Sequence, residues 1–195
     1  MKMKQGTSGF SLLELLLIIV IIAILAAFAI PTFSKWLPNY RLKMAARELY
    51  SNLQRTKAAA IKSNSEWRIY FDNSAGRYFM CSGPGANGAW DTPSGLGGDD
   101  VVEMTFNLSN YKGVNYGHGN ALKDVDGIPF SSSIVYGSAP AALFTNRGTV
   151  SAPGSDPGAA YVYLSNAKGT AYAVGTPGTG GVVVIRKYNG VNAWE

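Results

Sequence analysis

Hydrophobic and polar positions change their rhythm twice along this chain, and each rhythm predicts a different element. From Phe10 to Ile30 almost every position is apolar, interrupted only by Ser11 and Glu14. At 1.5 Å per residue a helix over 10–30 is about 30 Å long, the thickness of a bilayer's hydrocarbon core. From Pro38 to Asn64 the apolar positions Leu42, Ala46, Leu49, Leu53 and Ala60, with Ile61 beside the last, recur every three to four residues. Arg41, Lys43, Arg47, Glu48, Arg55, Lys57 and Lys62 fall mainly between them. That spacing predicts an amphipathic helix laid with one stripe on a core. Pro31 and Pro38 each remove a backbone donor, so the helix is expected to bend or loosen near both.

Beyond Glu66 the period shortens to that of strands. Trp67–Phe71 and Arg77–Cys81 flank the turn residues Asp72-Asn-Ser-Ala-Gly76 and predict a hairpin. Residues 82–100 are rich in Gly and Pro and predict a long exposed loop. Further strands are expected at Val101–Leu108, Val114–Tyr116, Ser133–Tyr136, Ala142–Thr145, Ala160–Leu164, Ala171–Val174 and Val182–Tyr188. The fold class that results is α+β, a long N-terminal helix packed on an antiparallel β domain. Four segments follow: a leader over 1–9, a spanning helix over 10–30, an amphipathic helix over 31–64, and a β-rich domain over 65–195.

Composition adds little to this picture. The formal charge of +5 includes Lys2 and Lys4, and falls to +3 if the segment before Phe10 is removed. One cysteine, Cys81, excludes an internal disulfide and reads as a small hydrophobe in a strand. The two leading lysines, with no further positive charge until Lys35, orient the span with its N-terminus in the cytoplasm. A secretory signal would carry its cleavage site after a shorter apolar run. Here the fitting cut lies before the run, between Gly9 and Phe10, so the anchor survives processing.

Glu14 is the residue the membrane does not explain. A carboxylate inside a span costs about 2.5–3.5 kcal/mol at the centre and less near the interface. Two readings stand. Glu14 receives the α-amino group of a neighbouring subunit's Phe10 in a filament core, or it sits at headgroup level in a single-pass anchor.

The run Gly9-Phe10-Ser11-Leu12-Leu13-Glu14-Leu15-Leu16, with Pro31 further on, resembles the type III signal of type IV prepilins and type II secretion pseudopilins. The resemblance implies that a prepilin peptidase cuts after Gly9 and methylates Phe10. Arg41–Asn64, ending Ala60-Ile-Lys-Ser-Asn64, is similar to the helix of the GspH/FimT family. Leu143-Phe-Thr-Asn-Arg-Gly148 and the closing strand are similar to that family's later elements. The implied function is that of a minor pseudopilin of a type II secretion system, anchored in the bacterial inner membrane with a periplasmic domain. Its implied partners are the peptidase, other pseudopilins met through the N-terminal helix, and an inner-membrane assembly platform. The alternative is a FimT-like minor pilin of a type IV pilus that starts assembly or binds DNA, with Arg186 and Lys187 as candidate contacts. Adjacent strand residues point to opposite faces, which weakens that pair.

Catalytic chemistry finds no purchase in the sequence. His118, the single histidine, is flanked by glycines and reads as a turn residue; no nucleophile elbow or Walker loop is present. The expectation is therefore a protein that is not an enzyme and has no cofactor. Asp124-Val-Asp126-Gly127 begins like a calcium loop, but Val135 stands where the closing glutamate belongs. An irregular calcium site drawing on Asp99, Asp100, Asp124 or Asp126 is left open.

Overall fold

A computed structural model describes residues 10–136, 140–151, 160–191 and 193–195, and of residues 30–32 the backbone alone. One helix, α1, runs over Leu12–Ser63. The chain divides into two compact units, the first ending at Leu37 and the second starting at Pro38. The helical assignment runs through both Pro31 and Pro38.

The first unit is the N-terminal part of α1, whose Leu12–Ala29 window has a mean hydropathy of 3.1 and no buried residue. By length and composition it can cross a membrane.

Among the described residues the second unit holds ten strands. They are β1 Trp67–Asp72, β2 Arg77–Gly83, β3 Val101–Asn107, β4 Val114–Tyr116, β5 Ile134–Val135, β6 Ala141–Phe144, β7 Val150–Ser151, β8 Ala160–Asn166, β9 Ala171–Thr176 and β10 Val184–Lys187. One sheet has the order β3-β2-β1-β6-β7. The other runs β10-β9-β8-β4, with β5 also on β8. Every strand pair is antiparallel. The α+β expectation agrees with this architecture; the two-residue β7 is the strand the sequence did not announce.

The helix contributes Leu42, Ala45, Ala46, Leu49, Leu53 and Ala60 to one core with Ile69, Phe71, Phe144, Val162, Leu164 and Val174. Its stripe continues through Thr56, which is fully buried. The Thr56 hydroxyl donates to the Asn52 carbonyl one turn back at 2.7 Å, so the buried polar group is satisfied. Ile61, expected beside the stripe, lies half exposed instead.

Polar contacts fix where the helix lies on the domain. Asn39 accepts from Asn166 at 2.8 Å and from the Thr170 hydroxyl at 3.1 Å. Asn52 donates to the Tyr78 hydroxyl at 2.9 Å, and Lys57 Nζ donates to the Gly181 carbonyl at 2.9 Å. At the end, Asn146 donates to Asn64 at 3.0 Å. Asn64 itself sits at φ 51, the left-handed cap position. The amide of Asn64 bonds Ile61 and that of Ser65 bonds Ala60, the paired closure of a Schellman end. This gives the Ala60–Asn64 stretch a physical job, which is to stop the helix.

Gly148, the glycine closing Leu143–Gly148, has φ 75. A Cβ there would meet Ile61 Cδ1 at 2.8 Å and Lys57 Cε at 3.0 Å. A side chain would be strained at this φ and would press on the tips of Ile61 and Lys57, so glycine suits the close approach of the turn to the helix.

Candidate functional site

The N-terminal segment is built around a helix start. Ser11 precedes Leu12, and its hydroxyl accepts the Leu13 amide at 3.3 Å while its carbonyl accepts Leu15 at 3.1 Å. Ser11 is therefore the N-cap, and Glu14 stands three residues on, in the helix's first turn. The sequence signal, Ser-x-x-Glu, was present but overshadowed by the membrane question. A carboxylate in this turn is favoured by the helix dipole. Phe10 is 76% exposed, and Glu14 is exposed among leucines. Gly9 and the leader over 1–9 lie outside the described residues. The Phe10 end and Glu14 are thus both accessible to another chain.

On the same unit Leu25, Phe28, Ala29, Phe33 and Trp36 line a shallow apolar groove. Phe33 and Trp36 rings lie 6.0 Å apart within it.

The 82–100 loop is only partly exposed, where an exposed loop was expected, because it is folded on itself with Pro93 and Asp100 buried. Asp91, Asp99 and Asp100 bring carboxylate oxygens within 4.8 Å of one another. Asn87 bridges two of them, its amide to Asp99 at 2.9 Å and its side chain to Asp91 at 3.0 Å. Asp100 is fully buried and binds Arg68 at 2.9 Å, with Arg68 2% exposed. Its second oxygen accepts the Asp91 amide at 3.2 Å. Burial drives the Asp100 carboxyl upward, the Asp91 amide and Arg68 pull it back, and the net direction is up. The Arg68 guanidinium also lies 5.1 Å from the Tyr70 ring and 5.8 Å from that of Trp90.

Among the aspartates considered for calcium, the structure brings Asp99 and Asp100 together and adds Asp91, which the sequence did not single out. Asp124 and Asp126 are elsewhere. Asp124 accepts the amides of Asp126 and Ile128, the ordinary use of an aspartate in a turn. Both Asp100 oxygens are already engaged, one of them by a cation, so this donor set is poor for a divalent ion.

Arg186 and Lys187 diverge, as strand geometry demands. Arg186 is half-buried beside the Tyr161 hydroxyl and the Asp126 carboxylate. Lys187 is exposed, and its backbone pairs with Glu195 at 2.6 and 2.9 Å. His118 Nδ1 donates to the Ala121 carbonyl at 2.8 Å, and the ring stacks on Phe130 at 4.1 Å. That is a packing role in a loop. Cys81 is fully buried in β2, and burial pushes its thiol up to about 12.

The prokaryotic N-terminal methylation motif matches residues 4–30. Among solved structures, the minor pseudopilin EpsH from the type 2 secretion system of Vibrio cholerae aligns with a TM-score of 0.46 and 13% identity. The alignment covers 74% of this chain and 95% of EpsH. No curated protein matches the chain.

Proposed function

We propose that this chain is a minor pseudopilin of a type II secretion system. It is held in the inner membrane by Leu12–Ala29 and then assembled into a periplasmic filament. The observation that carries the reading is the methylation motif over 4–30, continuous with an apolar span whose single charge is Glu14. A motif of this kind exposes a new N-terminus at Phe10, and the span supplies an apolar shaft for side-by-side packing. Glu14 in the first helical turn then offers a carboxylate to a neighbour's α-amino group, where an unpaired charge in an apolar core would be expensive. The helix-on-sheet domain beyond Pro38 supports the same reading. EpsH is described as a minor pseudopilin of a type 2 secretion system, but an alignment at 13% identity adds no weight here.

The test is a deletion strain complemented with the parent chain, Glu14→Ala or Gly9→Ala, scoring secreted proteins and surface pili together. Loss of secreted proteins with pili intact is expected, with Gly9→Ala failing at processing and Glu14→Ala only at assembly. Normal secretion with pili or DNA uptake lost would overturn the secretion reading in favour of a type IV pilus.

A further inference from the structure

Asparagine is followed by glycine at two places in this chain, Asn87-Gly88 and Asn189-Gly190, and both asparagines are exposed. Such a pair carries its own chemistry. A glycine amide has no side chain to hold it off, so its nitrogen can turn onto the preceding side-chain carbonyl.

The two sites are held differently. The Asn189 Oδ1 accepts two amides, Val191 at 2.9 Å and Ala193 at 3.2 Å. Its Nδ2 donates to Glu195 at 3.0 Å, and its own amide donates to the Ala193 carbonyl at 3.0 Å. The Asn87 Oδ1 accepts one amide, Ala89 at 2.7 Å, a bond that draws electrons from Cγ without closing the carbonyl off. Gly88 has φ 70, and a Cβ there would meet nothing within 4 Å, so the turn has room to rearrange. The Gly88 amide is engaged by no hydrogen bond among the described residues. On its other side Asn87 serves the acids, with Nδ2 donating to Asp91 at 3.0 Å and the backbone amide to Asp99 at 2.9 Å.

We propose that Asn87 is a site of self-modification that resets the 82–100 loop. The Gly88 nitrogen forms a bond to Asn87 Cγ as it gives its proton to water, and the Cγ–Nδ2 bond breaks with release of ammonia. The resulting cyclic imide takes up one water and opens to aspartate or to isoaspartate. Either product replaces a donor to Asp91 with a carboxylate, in a cluster where Asp91, Asp99 and Asp100 already converge within 4.8 Å. Arg68 is bound to Asp100, so the added charge meets repulsion from Asp91 and Asp99. Isoaspartate also lengthens the main chain and spoils the amide contact to Asp99. Trp90, held by Glu66 at 3.0 Å and lying 5.8 Å from the Arg68 guanidinium, is the side chain that such a change releases. The site belongs to the β domain and does not depend on which filament the chain joins.

The test ages the full-length chain in detergent at mildly alkaline pH and maps mass by peptide. Exchange of NH2 for OH at Asn87 is expected, part of it as isoaspartate, which an isoaspartyl methyltransferase labels. Asn189 should lag behind in the folded chain and draw level in denaturant. Asn87→Gln keeps an amide but cannot close a ring of that size, and should abolish the change. Chymotrypsin cleavage after Trp90 reads the loop. Asn87→Asp and the aged parent should be cut about fivefold faster than the fresh parent, the factor one like charge at contact distance in water supplies. An Asn87 that stays intact in the folded chain overturns the proposal, as does an Asn189 that reacts first. Equal cleavage of Asn87→Asp and fresh parent would refute the resetting of the loop. Aged Asn87→Gln cut like the fresh parent ties the opening to the reaction, whereas its opening with age counts against it.

Discussion

Asp100→Ala is the perturbation that asks most of this domain. The substitution leaves the Arg68 guanidinium 2% exposed with its carboxylate gone and its Nε already without a partner. It also frees the Asp91 amide that Asp100 accepts at 3.2 Å. Breaking a buried pair from one side costs about 3–5 kcal/mol, because the surviving charge cannot be rehydrated without opening the structure. For a domain of this size each kcal/mol shifts the melting midpoint by roughly 2–4 °C, so a fall of about 10 °C is expected. The upward direction of the Asp100 carboxyl says that its ionised form is less favoured in the fold than in water, Arg68 notwithstanding. Removing both charges with Arg68→Met and Asp100→Leu should therefore be far milder, within about 1–2 kcal/mol of the parent. Thermal unfolding of the detergent-solubilised chain, followed by tryptophan fluorescence, measures this directly. Trp90 lies 5.8 Å from the Arg68 guanidinium and reports the loop itself. A double variant as damaged as Asp100→Ala would refute the reasoning, as would a single variant that melts with the parent.

Asn64→Ala should cost about 1–2 kcal/mol, since alanine lacks the short polar side chain that eases the left-handed cap and loses the Asn146 hydrogen bond, whereas Asn64→Gly, free of Cβ strain, should lose less than half of that; chemical denaturation compares them. Burial raises the Asp72 carboxyl, but hydrogen bonds from Ser74, Arg77 and the Ala75 amide, with the Arg77 charge, outweigh it, and the folded value lies below the ordinary 3.8. Asp72 therefore stabilises fully above 3.8, and that contribution is lost as pH falls through the lowered folded value. Asp72→Asn should flatten the acid limb of the stability–pH curve and leave its slope unaltered at higher pH. Cys81, with its thiol pushed up to about 12 and no exposure, should resist maleimide at pH near 8 until the chain is unfolded; rapid labelling of the native chain would contradict its placement.

Strand positions were legible wherever alternating apolar residues met a clear turn, as at Trp67–Asp72 and Arg77–Gly83. β7 escaped because a two-residue strand has no period to detect. The helix stripe was read through its leucines but missed Thr56, whose burial depends on a bond to its own backbone that composition does not advertise. Glu14 and Phe10 stood out because a membrane makes any charge conspicuous. Ser11 did not, since its capping role needs only a local geometry that many serines satisfy by chance. The Arg68–Asp100 pair was invisible for another reason: thirty-two positions separate its partners. Nothing in either segment names the other.

The contacts that hold α1 to its domain also carry a schedule. Asn39 waits for Asn166, and Lys57 waits for Gly181, separations of 127 and 124 residues. At about 5–20 residues per second of synthesis, the helix emerges roughly 6–25 s before the groups that pin it. During that interval β1 and β2 can already supply Ile69, Phe71 and Tyr78 to the leucine stripe, but Val162, Leu164 and Val174 of the same core are not yet made, and closing such distant contacts is intrinsically slow. The core of a nascent chain of this design therefore stays half-built until late in synthesis, and its final locking step belongs to the last strands made.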